Sequence, residues 1–160
     1  MEWMLMPYRK LYRLIEGRST RREYWMFTLL TVLVSLAFVL LMVAVIGGAG
    51  SAFTNPTDVA GMMAGAGAIA LIVVILPFYV WVLLTGVAAF AVTIRRLHDL
   101  GQSGWMLVLF YAVMIVAAII SMYLYWLVAI GGIVVLCLPG TPGANKYGAD
   151  PLSPDADAFA

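Results

Sequence analysis

The sequence predicts an all-α integral membrane protein with four transmembrane helices in two hairpins and an N-terminal interfacial amphipathic helix. Two observations predict this class. Of the 160 residues, 64% are hydrophobic and only 11% are charged, whereas a soluble domain carries about 25% charged residues. The apolar residues also form long runs, and the nine basic residues all lie outside those runs. Such a composition suits lipid rather than water, and the length suits one small folded unit.

Two apolar runs are each long enough for a helix across a bilayer, which takes about 20 residues. They occupy residues 24–47 and 66–94, and Asp58 is the only charged residue from Tyr24 to Ile94. Pro77 interrupts the second run, and membrane helices tolerate proline although it commonly kinks the axis. We therefore predict two spans here, joined by a glycine-rich loop over 48–65 in which no chemistry is indicated.

The third apolar run, residues 105–138, is too long for one span and short for two. We predict two short helices over 105–120 and 123–138, with a tight turn from Ser121 to Tyr123. Aromatic residues collect at the headgroup level of a bilayer, so Tyr123, Tyr125 and Trp126 suit an interfacial turn. One long span or a re-entrant pair is the alternative.

The basic residues predict the orientation of these helices. Cytoplasmic loops of inner-membrane proteins are enriched in Lys and Arg, and four spans place every basic segment in the cytoplasm. The predicted location is therefore the bacterial inner (plasma) membrane, multi-pass, with cytoplasmic N- and C-termini. The predicted parts are residues 1–20 (cytoplasmic interfacial helix and basic linker), 21–138 (four-span domain) and 139–160 (cytoplasmic tail). The basic residues before the first run are Arg9, Lys10, Arg13, Arg18, Arg21 and Arg22; Arg95, Arg96 and Lys146 follow later.

The N-terminal segment has the pattern of a short amphipathic helix. Pro7 suits the first position of a helix, and Gly17 can end one. Apolar residues at i, i+3, i+4 and i+7 form one face, which predicts a helix lying in the cytoplasmic interface. This helix either only anchors the chain or binds lipid or a partner. The face consists of Tyr8, Leu11, Tyr12 and Ile15.

Two polar segments carry helix-end signals. Thr20 and Glu23 have the T-x-x-E spacing of a capping box, which predicts that the first membrane helix starts at Arg21. In the 95–105 segment, the spacing predicts a helix end near Leu100 closed by Gly101. Ser103 is predicted to cap the next helix.

His98 and Asp99 are adjacent, and this leaves two interpretations of the 95–105 segment. The first is a structural loop hydrogen-bonded to the tail. The second is a proton-relay or catalytic pair, because a histidine beside a carboxylate can titrate near neutral pH. The tail over 139–151 is turn-rich, and the small, acidic end after Pro151 is predicted to be disordered.

Three segments together resemble a known family. They read GRSTRREYW (residues 17–25), RRLHDLGQSGW (95–105) and PGTPGANKYGADP (139–151). In order and wording they closely resemble the bacterial inner-membrane family catalogued as domain of unknown function 805, the YhaH-like proteins. The resemblance covers roughly residues 8–151. It implies a small multi-helix inner-membrane protein, but no activity, substrate or catalytic residues, and it does not explain the glycine-rich 48–65 loop.

The predicted orientation puts all three segments on the cytoplasmic side, so we predict that they pack together as a platform. A buried carboxylate needs a partner, so Asp99 or Glu23 is expected to pair with an arginine. The predicted platform residues are Arg18, Arg21, Arg22, Glu23, Trp25, Arg95, Arg96, His98, Asp99, Gly101, Ser103, Trp105, Asn145, Tyr147 and Asp150.

These patterns favour a non-enzymatic accessory or scaffold subunit, or a lipid-interacting adaptor. The predicted spans contain no ionisable residue of the kind that transporters use, and small residues such as Gly86 and Gly131 allow close helix packing. The predicted partners are anionic lipid headgroups and a larger membrane complex or homo-oligomer. The net charge of +1 does not point to nucleic acid. One histidine and one cysteine offer few metal ligands, so no metal, cofactor or catalytic residue is predicted.

Two other functions stay open at the sequence level. In a small oligomeric transporter or channel, Pro77 and Gly86 would break the second helix and expose its backbone. In an enzyme that acts on lipid headgroups, His98 would be the base, with Arg95, Arg96 or Arg22 on the phosphate. No nucleophile or metal set supports the second of these.

Overall fold

The computed structural model describes residues 2–9, 15–51 and 66–153 of this chain, and these residues form five α-helices. They are α1 (Glu2–Arg9), α2 (Arg21–Ser51), α3 (Ala66–Asp99), α4 (Trp105–Ile120) and α5 (Met122–Cys137). Within the described ranges there is no β-strand, only an isolated bridge between Asn145 and Gly148. The predicted all-α class is confirmed.

Helices α2 and α3 are long and apolar. They contain 31 and 34 residues, and the stretches Arg21–Val45 and Ile72–Asp99 are long and apolar enough to cross a membrane. Large apolar side chains point outward along both, for example Leu40 (60% exposed) and Leu83 (70% exposed). Each square ångström of apolar surface left in water costs about 25 cal/mol, so these faces suit a lipid environment.

Helices α4 and α5 form an antiparallel pair. Each has 16 residues, which at 1.5 Å per residue gives a length of about 24 Å. Ser121 alone separates them, in extended conformation, and its hydroxyl accepts a hydrogen bond from the Tyr123 N–H at 3.2 Å. The break therefore lies where the sequence predicts a turn. That each short helix crosses the bilayer stays a prediction.

The chain divides into two compact units, residues 29–87 and the remainder. Within residues 29–87, α2 and α3 are antiparallel neighbours. The Phe38 and Phe78 ring centroids are 5.5 Å apart, and the Trp81 indole N–H donates to the Ser35 hydroxyl at 3.4 Å. The other unit has one buried apolar cluster around Phe27, Ala88 and Val92 and another formed by Ile94, Leu97 and Leu107.

The N-terminal helix differs from its prediction. Helix α1 begins at Glu2 and contains Pro7 in its interior, so the prediction that Pro7 is the first helical residue is wrong. A proline removes one backbone donor from a helix, and here its ring is fully buried. Tyr8 packs edge-on against Phe27, with ring centroids 5.5 Å apart. Ile15 is exposed, and the rest of the predicted apolar face, Leu11 and Tyr12, lies outside the described residues.

Two other boundaries are also corrected. The N-cap of α4 is Gly104, without a side-chain cap, so the predicted Ser103 cap is wrong. Gly104 stands between Ser103 and the first helical residue, Trp105, so Ser103 lies one position before the cap. Helix α2 continues to Ser51, into the predicted 48–65 loop. The remainder of that loop and the predicted disordered end from residue 154 lie outside the described residues.

Candidate functional site

Asp99, the last residue of α3, is the centre of a buried polar cluster that joins three distant parts of the chain. Its carboxylate accepts from the Arg18 Nε at 3.0 Å and from the Arg96 guanidinium. The Arg18 Nη2 atom also lies 2.9 Å from the same carboxylate. All three side chains are buried. We call this group the Asp99 cluster, and it is the pairing with arginine that the sequence predicts for this carboxylate.

Arg18 links the N-terminal segment to the tail. Besides Asp99, it donates to the carbonyls of Thr141 and Gly143, each at 2.6 Å. A guanidinium has five N–H donors in a planar fork, and Arg18 directs this fork at a carboxylate and two backbone oxygens. The segment before α2 is thereby attached to residues more than 120 positions later in the chain.

Arg96 caps the C-terminal end of α5. It donates to the Leu136 carbonyl from Nε at 3.2 Å and to the Leu138 carbonyl from Nη2. The last carbonyls of a helix lack partners within the helix, and a cation there also suits the helix dipole. A side chain from α3 therefore completes the end of α5.

Helix α3 is in turn capped by the loop and the tail. The Gly101 and Gln102 N–H groups donate to the carbonyls of His98 and Leu97 at 3.0 and 2.9 Å, and Gly101 has the positive φ (75°) that the sequence predicts. The Thr141 N–H donates to the Asp99 carbonyl at 2.8 Å. The Asn145 amide donates to the His98 carbonyl at 2.9 Å. The tail thus satisfies helix-end acceptors that would otherwise need water.

The tail itself is folded by short-range hydrogen bonds. Asn145 and Gly148 exchange two backbone bonds of 3.0 Å. The Asp150 carboxylate accepts from the N–H groups of Leu152 and Gly143, both at 3.0 Å. These two donors favour the charged carboxylate and hold the pKa of Asp150 below its usual range. The predicted turns of the tail are therefore specific, hydrogen-bonded ones.

His98 is held between the N-terminal segment and the tail. Its ring stacks on Tyr147 with centroids 3.8 Å apart and planes 5° from parallel, and its Nδ1 lies 3.3 Å from the Gly17 carbonyl. Lys146 covers the same tyrosine, with Nζ 4.9 Å from the ring centroid. His98 and Asp99, adjacent in sequence, thus have different partners in space.

A second buried ion pair lies beside the Asp99 cluster. Glu23 and Arg95 are each 1% exposed, and their charged atoms are 3.8 Å apart. The Thr20 hydroxyl accepts from the Glu23 N–H at 3.1 Å, so α2 starts at Arg21 with the predicted threonine cap. The Ser19 N–H donates to the Arg95 carbonyl at 3.1 Å, which connects the segment before α2 directly to α3.

The remaining predicted platform residues lie at the edge of these clusters or outside them. Arg21 and Arg22 are exposed on the first turn of α2. Trp25 packs edge-on against Tyr24, with centroids 5.2 Å apart. Ser103 is half-buried, and Trp105 is 78% exposed. The structure thus brings together most of the three predicted segments, but its basic residues divide into buried and outward-facing sets.

The charges of the Asp99 cluster balance only when the helix ends are counted. Arg18 and Arg96 carry two positive charges against one on Asp99. The C-terminal ends of α3 and α5 each add about half a negative charge. Two cations, one carboxylate and two helix ends are therefore close to neutral, and this lowers the cost of burying two guanidinium groups. The arrangement closes helix ends.

Sequence reasoning missed how closely the tail backbone approaches the Asp99 carboxylate. A Cβ added at Gly140 would overlap Asp99 Oδ2, so the backbone there passes directly over the carboxylate. It also missed Thr141, whose N–H and hydroxyl both donate to the Asp99 carbonyl. The Pro-Gly-Thr sequence of the tail motif was the available signal of this contact, since glycine permits close backbone approach.

Metal binding finds no support within the described residues, where no group of three or more His, Cys, Asp or Glu side chains could hold an ion. Cys137 is a free, exposed thiol at the end of α5.

Comparison with known proteins identifies the family. The family model described as "Protein of unknown function (DUF805)" matches residues 12–149. This chain belongs to the DUF805 family. Inner membrane protein YhaH of Escherichia coli (strain K12) is 33% identical over 151 residues, which cover 94% of this chain and 97% of the relative. Inner membrane protein YhaI of the same organism is 30% identical over 153 residues, with 94% and 96% covered. No solved structure matches this chain significantly.

The predicted family resemblance is thus confirmed, and this DUF805 chain is a membrane protein. The matched region includes Arg18, Arg96 and Asp99, and it reaches into the tail as far as residue 149. The relatives are named inner membrane proteins, in agreement with the two long apolar helices.

Proposed function

We propose that this DUF805 protein is a non-enzymatic accessory or scaffold subunit of the bacterial inner membrane. One observation carries the proposal: the charged groups of the Asp99 cluster direct their hydrogen bonds at each other and at backbone carbonyls. Such a cluster fixes the ends of helices rather than performing chemistry. A rigid set of helix ends offers a partner a defined surface.

The same cluster supports four spans with both ends in the cytoplasm. Arg18 precedes α2, Asp99 ends α3, and Arg96 holds the carbonyls at the end of α5. These three points must lie on one side of the membrane. Two hairpins, α2 with α3 and α4 with α5, meet this requirement, as would a re-entrant α4–α5 pair, and a three-span arrangement does not. The six basic residues before Glu23 favour the cytoplasmic side.

Outward-facing basic residues support contact with anionic headgroups or an acidic partner surface. Arg21, Arg22 and Lys146 are exposed, while Arg18, Arg95 and Arg96 are buried. Each basic residue near an anionic leaflet contributes about 1 kcal/mol. The exposed set is therefore the side of the platform that faces lipid or partner.

The geometry favours neither alternative function. A transport site at Pro77 or Gly86 would need a broken helix, whereas α3 continues through both from Ala66 to Asp99. A headgroup enzyme would need His98 as a base, but the ring is stacked on Tyr147 and directed at the Gly17 carbonyl.

Purification from native membranes under mild conditions, followed by mass spectrometry, tests the proposal. We expect the chain to retain a protein partner or a second copy of itself. The double variant Arg22→Glu/Lys146→Glu should lose that partner, while Glu16→Lys, an exposed charge change elsewhere, should not. A wild-type chain that purifies alone as a monomer would contradict the subunit role, as would equal retention by the double variant.

A further inference from the structure

An apolar cavity of about 570 Å³ lies between the start of α2, the end of α3 and the α4–α5 pair. Its walls are mainly aliphatic and aromatic, and the hydroxyl-bearing side chains of Tyr24 and Thr93 contribute polar groups. Small-molecule sites have this size and character, about 300–1,000 Å³ and mostly apolar with a few polar groups. The Asp99 cluster does not use this space.

Two glycines of α5 help to keep the apolar cavity open. Gly131 and Gly132 both line the cavity, and a Cβ added at Gly131 would meet nothing within 4 Å. A large side chain at position 131 would therefore enter open space instead of colliding with a neighbour. The α5 sequence keeps volume free here that a larger residue would fill.

Two further cavities lie next to the apolar cavity, toward the charged end of the protein. A second cavity of about 530 Å³ shares Met106 and Val135 with it and extends to Pro139. A third, of about 190 Å³, shares Pro139 with the second and is lined by Arg21. The three cavities thus adjoin one another; the first is apolar, and the third is lined by charged groups of both signs, Arg18, Arg21 and Arg96 with Asp99 and Asp150. Both carboxylates already accept hydrogen bonds from protein donors, so this distribution suits an amphiphilic molecule whose anionic group meets an arginine.

Arg21 is the cation suited to an outside ligand. It is exposed, whereas Arg18 and Arg96, which line the same third cavity, are buried and hydrogen-bonded to protein acceptors. Tyr24 follows Arg21 by three residues on α2, so both lie on one helix face. Tyr24 lines the apolar cavity and Arg21 lines the third one, so this face of α2 borders both.

We propose that these adjoining cavities hold one anionic phospholipid, with a hydrocarbon chain in the apolar cavity and the phosphate at Arg21. A partner helix suits the space less well. A helix about 10 Å wide occupies about 420 Å³ per 5.4 Å turn, so the cavity would take little more than one turn. A single hydrocarbon chain is narrower than a helix, and charge complementarity at Arg21 selects an anionic headgroup. The proposal rests on the proposed membrane orientation, and it is independent of the scaffold role.

The test uses the full chain in nanodiscs that contain equal amounts of phosphatidylglycerol and phosphatidylcholine with identical chains. Native mass spectrometry after release measures the lipid retained per chain. We expect one phosphatidylglycerol per wild-type chain, and at least about tenfold lower occupancy in Gly131→Phe. Arg21→Gln should retain lipid but lose the preference for phosphatidylglycerol. Gly86→Phe is the matched control, because Gly86 also has open space for a Cβ and does not line the cavity.

A second measurement separates loss of the site from loss of the fold. A photoreactive phosphatidylglycerol with a diazirine on its chain should label Met106, Met114 or Val128 in wild type and Gly86→Phe, but not in Gly131→Phe. Equal labelling in all three would overturn the proposal, and so would cross-linking of a partner protein at these positions in place of lipid. If lipid binds as expected but no partner co-purifies, the scaffold role fails while this site stands.

Discussion

At the residue scale, Asp99 is the group whose removal should have the largest effect. In Asp99→Asn the shape is kept, but two buried guanidinium groups lose their charge partner. Breaking a buried ion pair costs about 3–5 kcal/mol, so we expect a marked fall in the thermal unfolding temperature of the detergent-purified protein. Asp150→Asn, which removes an exposed carboxylate of the tail, should change it far less. Similar melting temperatures for both variants would show that the Asp99 cluster is not a stabilising centre.

A glycine gives a second prediction at this scale. Gly140→Ala places a methyl group on top of Asp99 Oδ2, and that carboxylate cannot move without releasing Arg18 or Arg96. Overpacking of this kind costs about 1–3 kcal/mol. Gly86→Ala, in a helix with open space, should be neutral or slightly stabilising because alanine favours helix. Differential scanning fluorimetry compares the two, and an unchanged Gly140→Ala would refute the close approach.

Individual site residues were only partly predictable from sequence. Asp99 was expected to pair with an arginine because a buried carboxylate needs one, and two arginines do so. Which arginines face inward could not be read, since Arg18 and Arg21 look alike in a basic segment but have opposite exposure. The roles of the Leu136 and Leu138 carbonyls depend on folding, because backbone acceptors carry no sequence signal.

At the element scale, the α4–α5 pair depends on close contact at one glycine. A Cβ at Gly132 would lie 2.5 Å from the Phe110 ring, so Gly132→Leu should separate the helices and destabilise the protein by about 1–3 kcal/mol. Gly131→Leu, one residue earlier and facing open space, should be tolerated. Adding Phe110→Ala should recover part of the loss in Gly132→Leu. Equal melting temperatures for the two leucine variants would contradict this packing.

Helix ends were predicted correctly where a few consecutive residues specify them, and incorrectly where distant parts of the chain do. The Thr20 cap and the Gly101 stop are properties of a few consecutive residues, and both occur in the structure. The predictions for Pro7 and Ser103 failed because α1 already contains Pro7 in its interior and Gly104, not Ser103, directly precedes α4. The capping of α3 by Thr141 and Asn145 is long-range, so periodicity alone could not have indicated it.

At the scale of the whole molecule, composition was enough to predict the class. A chain with 11% charged residues cannot cover itself with polar surface, and the exposed apolar faces of α2 and α3 agree with this. The positive-inside rule grouped the three polar segments on one side before any contact was known. Their hydrogen bonds then give an independent physical reason for the same grouping.

Topology is the prediction that belongs to the whole molecule. We expect Tyr123→Cys, in a Cys137→Ala background, to react with a membrane-impermeant maleimide added outside spheroplasts. Gln102→Cys should react only after the membrane is permeabilised. Since α4 and α5 are each only about 24 Å long, a re-entrant pair would leave position 123 within the bilayer and unlabelled from either side. Labelling of position 102 from outside would reverse the orientation, and with it the proposed cytoplasmic location of the Asp99 cluster.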